Sequence, residues 1–169
     1  MKRIITLGIL IIFCYVLQVG VFSYFKMAGI IPNIMLILVV SFAIMRGQVE
    51  GMLVGFFCGL LIDVMAGDAV GLYALLYLFI GYVNGYFHLL FYANNILLPL
   101  GMILGNSVVY NLIVYVFSFL LRNKTDFGFY FMHVMMPEVV YTFLVAIFLY
   151  NVLLWINRFL EQLEKRSAA

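Results

Sequence analysis

The chain has 169 residues, of which 67% are hydrophobic and 9% charged, with a net charge of +2 and a mean hydropathy of +1.20. Soluble domains run nearer to half apolar and a quarter charged, so this composition reads as an integral membrane protein. It leaves no polar stretch long enough for an appended nucleotide-binding or catalytic domain, and so small a net charge argues against a nucleic-acid partner.

A helix that crosses a hydrocarbon core about 30 Å thick needs about 20 apolar residues. Six apolar segments meet or approach that length, at 4–24, 32–45, 47–64, 70–87, 96–121 and 137–156. They predict an all-α membrane protein with six transmembrane helices in one domain, 1–169, ending in a short tail, 157–169. The first segment follows Met1-Lys2-Arg3 as a signal peptide would, but it is too long for one and lacks an A-x-A site, so it reads as an uncleaved span. Cys14 and Cys58 lie in apolar runs and read as small core residues. The second segment is short. Pro32 and Pro137 each suit a first helical turn, where a missing N–H costs nothing, and Pro99 falls about a turn inside the fifth segment.

The third segment carries the strongest pattern. Gly47, Gly51, Gly55 and Gly59 recur every four residues, and Asp63 takes the next place. Residues four apart are neighbours on a helix, so the row forms a smooth groove for close approach of a second helix. In lipid such small-residue faces are where helices associate. The groove admits either a partner's helix or the next helix of the hairpin. The fourth segment has Gly67/Gly71 and Gly81/Gly85 with Asn84, and the fifth has Gly101/Gly105 with Asn106, so three consecutive spans read as built for close packing.

Asp63 stands about 25 Å along the helix from Arg46, near a membrane–water boundary rather than the midplane. That depth favours a carboxylate that accepts hydrogen bonds from the following turn or a neighbouring helix over an ion or proton site. Glu138 reads as a carboxylate at the positive end of a helix dipole. His88 and His133 have no Cys or carboxylate at metal-ligand spacing. No G-x-S-x-G or phosphate-loop motif is present, and no serine has a His and an Asp beside it. An enzyme, a cofactor and a metal are therefore not expected. Past 156 the helical pattern continues, with Phe159, Leu160 and Leu163 as an apolar stripe and Glu161 four residues before Lys165. An even span count puts both termini on one side with Lys2, Arg3, Arg46, Arg158, Lys165 and Arg166, against Lys26, Arg122 and Lys124 on the other. That bias places both termini in the cytoplasm.

Pro32-Asn33-Ile34-Met35-Leu36, followed by the row Gly47, Gly51, Gly55, Gly59 and Asp63, and by Gly71-Leu72 at the opening of the next span, resembles the rod shape-determining protein MreD family. The family's usual Asp after the proline is Asn33 here. The resemblance implies a non-enzymatic inner-membrane scaffold of the bacterial elongation machinery. Its implied partners are MreC, a bitopic protein, then the MreB cytoskeleton, and RodA with its class B penicillin-binding transpeptidase, surrounded by membrane lipid. It also implies a fold similar to the six-helix substrate-binding subunits of energy-coupling-factor vitamin transporters. Pro32, Asn33, Gly47, Gly51, Gly55, Gly59, Asp63, Gly71, Gly81 and Gly85 are the candidate helix-packing or partner-binding residues. A second reading is a vitamin-type substrate-binding subunit of an uptake transporter, for which the loops offer Asn33, Asp68, Asn123, Lys124, Thr125 and Asp126.

Overall fold

The structure is a computed structural model, and it describes residues 2–26, 29–66, 71–90, 96–122 and 127–168. Among them every regular element is helical. α1 (Lys2–Val16) continues through a π-turn (Leu17–Val21) and a short turn (Phe22–Tyr24). α2 is Ile34–Arg46, α3 Gln48–Ala66, α4 Leu72–Gly85 with a 3₁₀ extension Tyr86–Leu90, and α5 Leu97–Arg122. A helical turn Phe127–Tyr130 and a π-turn Phe131–Met135 lead into α6, Met136–Ala168.

Five of these stretches are long and apolar enough to cross a membrane: Ile5–Tyr24, Gln48–Met65, Leu72–Leu89, Leu97–Phe117 and Phe127–Gln162. The expected second span is not among them. α2 has 13 residues, which at 1.5 Å each give about 20 Å, short of a core about 30 Å thick. It is also the centre of the molecule. Every residue from Ile34 to Met45 is buried, and α2 touches α1, α3, α4, α5 and α6. A helix apolar on all sides must be enclosed on all sides, and here the other five helices enclose it. Their outer faces remain apolar and exposed, as at Ile9 and Phe13 on α1, Phe57 on α3 and Phe148 on α6.

The glycine row serves an internal contact. α3 and α4 form the most intimate pair in the fold, and their glycines admit the backbone of the facing helix. A Cβ at Gly55 would overlap the carbonyl oxygen of Tyr77, one at Gly59 that of Tyr73, and Gly51 and Gly81 meet backbone to backbone. Gly85 abuts the backbone of Gln48. Gly47 departs from the expected row. It lies between α2 and α3 with φ +94°, a left-handed value that favours glycine, and so it ends one helix and starts the next rather than packing along the second. The pair on α5 departs further: Gly101 and Gly105 have no atom within 4 Å of where a Cβ would stand.

The prolines also fall differently. The second helix begins after Pro32, with Asn33 as its cap. Pro137 does not open the sixth span, which starts ten residues earlier at Phe127. Pro137 has no N–H for the carbonyl of His133 and its ring crowds that carbonyl. The wider π-turn at Phe131–Met135 sits immediately before it, the kind of local widening that lets a helix run past a proline. Pro99, in the first turn of α5, occupies a position whose N–H has no intrahelical partner in any case. The loop residues Gly67, Asp68 and Ala69 between α3 and α4 lie outside the described residues.

A Cβ at Gly55 cannot be accommodated by a side-chain movement, because backbone stands in its place. Gly55→Ala is expected to cost about 2 kcal/mol or more by overpacking and to lower the thermal midpoint in detergent by about 5 °C or more. Gly105→Ala, made in open space on the same scale of helix, should not lower it.

Candidate functional site

The described polar side chains gather at the two ends of α2, because a helix that stops short of the membrane surface exposes its unpaired end groups to protein and hydrocarbon instead of water. At the N-terminal end, Asn33 caps α2: its Oδ1 accepts from the N–H of Leu36 at 3.0 Å and from the Tyr77 hydroxyl at 2.7 Å. The N–H of Asn33 donates to Thr142 Oγ1 at 3.0 Å, and that of Met35 donates to Gln18 Oε1 at 3.1 Å. Gln18 lies in the π-turn of the first helix. Four side chains from four different segments thus complete one helix end.

A carboxylate joins this cluster. Glu138 stands beside it, its carboxyl interacting with the side chains of Asn111 and Asn33. Asn111 donates to the carbonyl of Ser107 at 3.0 Å and accepts from the Tyr130 hydroxyl at 3.4 Å, while the ring of Tyr110 packs against that of Tyr77 with centroids 5.5 Å apart. Asn33, Tyr77, Asn111 and Thr142 are all buried. Glu138 is therefore not held by a free helix N-terminus, as the sequence suggested. The helix continues upstream of it, and the amide side chains of Asn111 and Asn33 are its polar neighbours instead.

Asp63 stands beside the same cluster. Its two carboxylate oxygens accept from the N–H groups of Tyr73, at 3.1 Å, and Ala74, at 2.8 Å. These are the second and third residues of α4, whose own cap position, Gly71, has φ +98° and no side chain to offer. The last turns of α3 thus cap the first turn of α4, with the carboxylate charge at the positive end of that helix dipole. One turn further along α4 comes Tyr77, the partner of Asn33. Asn33 and Asp63 therefore share a helix, reaching α4 at consecutive turns without contacting each other.

The C-terminal end of α2 is completed in the same manner. His88 Nδ1 lies 2.8 Å from the carbonyl oxygen of Ile44, with its ring against Gly47. Arg46 Nε donates to Asn157 Oδ1, and Asn157 Nδ2 donates to Glu161 at 2.9 Å. Between the two ends, Asn84 and Asn106 form a reciprocal amide pair, with Nδ2–Oδ1 distances of 2.9 and 2.8 Å.

Of the residues that the sequence marked, Gly51, Gly55, Gly59, Gly81 and Gly85 are enclosed between α3 and α4, Gly47 and Gly71 sit at helix boundaries, and Pro32 is buried ahead of the cap. The structure groups Asn33 and Asp63 around α4. Gln18, Tyr77, Tyr110, Asn111 and Thr142 were not marked. Their signal was weak but present: each is a polar atom carried through an apolar run, where lipid offers no hydrogen bond. Asp68, Asn123, Lys124, Thr125 and Asp126 lie outside the described residues. Among the described residues no three of His, Cys, Asp and Glu converge as a metal site would require.

Thr142→Val keeps the shape of the side chain and removes the acceptor of a buried N–H. It is expected to destabilise by about 1–3 kcal/mol, read as a fall in the detergent unfolding midpoint, whereas Thr142→Ser should retain most of the wild-type value.

No curated protein and no solved structure matches the chain. A family does: the model for rod shape-determining protein MreD matches residues 1–163, nearly the whole length over which these helices run, and the chain belongs to that family of membrane proteins that determine rod shape.

Proposed function

We propose that this protein is a non-enzymatic scaffold of the cell-elongation machinery in the inner membrane, acting as one six-helix domain. The observation that carries the reading is the family match over residues 1–163. In this reading the chain still makes six passes, α2 with the stretch leading into it forming the short second one, so both termini are cytoplasmic, the Arg46 end of the bundle faces the cytoplasm and the Asn33–Asp63 end faces outward. Lys2, Arg3, Arg46, Arg158, Lys165 and Arg166 then lie on the positive side.

A scaffold of this kind holds a partner's transmembrane segment against its own helices. The proposed partners are an MreC-like bitopic protein first, then RodA with a class B penicillin-binding protein, and MreB on the cytoplasmic side. The grooved face of α3 is filled by α4, so the partner's helix would lie on an outer face. The likeness to energy-coupling-factor substrate-binding subunits remains part of the proposal for the fold. The uptake-subunit reading has less support, because Asn33, one of its six polar candidates, is engaged inside the bundle by Leu36, Tyr77 and Thr142.

The test is to purify the tagged protein from native membranes in mild detergent and identify what accompanies it. Recovery of MreC-like, RodA-like and transpeptidase chains is expected; recovery of an ATPase pair with a coupling membrane subunit would overturn the reading. Asp63→Ala, which uncaps α4 at the outward end, should lower recovery of the MreC-like chain about tenfold, equivalent to ~1.4 kcal/mol, at equal expression. An unchanged yield would remove that end of the bundle from the interface.

A further inference from the structure

α6 has two opposed faces. One carries Val139, Thr142, Ala146, Tyr150, Leu153 and Asn157, all buried against the bundle. The other carries Leu144, Phe148, Asn151 and Trp155, all exposed and spaced four, three and four residues apart. That spacing is the a/d repeat with which one helix packs along another. Asn151 breaks its apolar character. Phe148 is 79% and Trp155 69% exposed, so the amide stands on the outer surface between two apolar side chains. Its depth follows from α2. On α6, Thr142 meets the N-terminal end of α2 and Asn157 the C-terminal end, and Asn151 lies between those levels. α2 is too short to join the two membrane surfaces, so a residue level with its interior lies at hydrocarbon depth. Asn151 Nδ2 donates to the carbonyl of Ile147 at 2.9 Å. Its second amide hydrogen and its Oδ1 have no partner among the described residues. Lipid tails offer them none, and a polar group left unpaired in hydrocarbon is costly.

We propose that this face joins two copies of the chain, with Asn151 of each paired to the same residue of the other. Copies in one membrane share one orientation. A symmetric contact between them has its two-fold axis along the membrane normal, and it brings each residue of the face to its counterpart at the same depth. α6 then packs parallel to α6, the arrangement in which a single Asn in an a/d repeat pairs with its counterpart and fixes the register. An amide is self-complementary, because each can donate one N–H and accept at one carbonyl. The chain already uses that pairing internally, between Asn84 and Asn106 at 2.9 and 2.8 Å. A second copy supplies the missing donor and acceptor at the required depth by symmetry alone. An unrelated helix needs a matching polar residue at that level. The apolar repeat ends at Trp155, since the next position in it is Arg158, one residue past the level at which Asn157 meets Arg46.

Self-association is read with the purified chain alone, so it is tested separately from the elongation role. Full-length protein carrying a donor or an acceptor fluorophore at its C-terminus is reconstituted into vesicles of phosphatidylethanolamine and phosphatidylglycerol. Energy transfer is then followed as lipid is added. Wild type is expected to give transfer that falls on dilution as a dimer dissociates. Asn151→Leu should weaken association about tenfold, and Asn151→Gln, which keeps the amide, should stay within about twofold of wild type. The position is exposed, so both variants should keep the wild-type unfolding midpoint, which verifies the fold. Cross-linking supplies the second measurement. Phe148→Cys should give a covalent dimer on mild oxidation, whereas Phe79→Cys, on the exposed face of α4, should not. Cys14 and Cys58 are buried, so the wild type sets the baseline. Equal association of wild type and Asn151→Leu, a wild type that is monomeric at every lipid ratio, or cross-linking at Phe79 rather than Phe148 overturns the proposal. So does a monomeric wild type in which Asn151→Leu instead lowers recovery of an MreC-like chain from native membranes, which assigns the face to the elongation partner.

Discussion

The structure depends on one constraint: a helix too short to cross the membrane has been placed at its centre. α2 spans about 20 Å, so neither of its ends is assured of water, and in hydrocarbon an unpaired backbone group costs several kcal/mol. Three of the other helices answer that constraint. The first supplies Gln18, the fourth Tyr77, the sixth Thr142, and Asn33 caps the helix itself. At the opposite end, His88 and Asn157 meet the carbonyl of Ile44 and the guanidinium of Arg46. Among the described residues, several of the polar side chains thus stand where they complete the ends of the buried helix, and their positions in sequence make sense from its position in space.

The same enclosure explains the glycines. Five helices can surround a sixth only if some of them approach one another more closely than side chains allow. α3 and α4 do so by omitting side chains along the contact, so that carbonyls of one helix rest on α-carbons of the other. Without a hydrophobic force between helices in lipid, that backbone-to-backbone contact is where van der Waals attraction is gathered. Asp63 then ties the hairpin at its end by capping α4. A pattern that in isolation invites a partner's helix is, in this protein, filled from within.

Much of this was legible in the sequence because it is local. A four-residue glycine repeat followed by an acid and a short loop describes a tight hairpin on its own, and the carboxylate's partners lie only ten and eleven residues ahead. What was not legible is non-local or conformational. Thr142 meets Asn33 across 109 positions of sequence, and no periodicity in either segment announces it. Gly47 fits the repeat by spacing but leaves it by its backbone angle, since positive φ has no signature beyond the glycine itself. Pro137 marks helix starts often enough to suggest one, and the π-turn that carries the helix through it is invisible to a 3.6-residue pattern. Gly101 and Gly105 have the same spacing as the packed glycines and no packing, which shows that the spacing alone states a capacity for contact and not its use.

Rigidity is accordingly uneven around the central helix. On one side, α3 and α4 are joined through backbone and capped to one another. On the other, α4 and α5 meet through few side chains: the Asn84–Asn106 pair, whose amides also return to the carbonyls of Ile80 and Met102, and the ring of Tyr110 against those of Tyr73 and Tyr77. All four amide hydrogens of that pair are engaged, and sliding one helix past the other would break the two bonds that cross between them, with no water to replace them. The pair thus fixes the register of α5 against α4. A bundle built in this way joins one pair of helices backbone to backbone and the next pair through a few side chains at two levels.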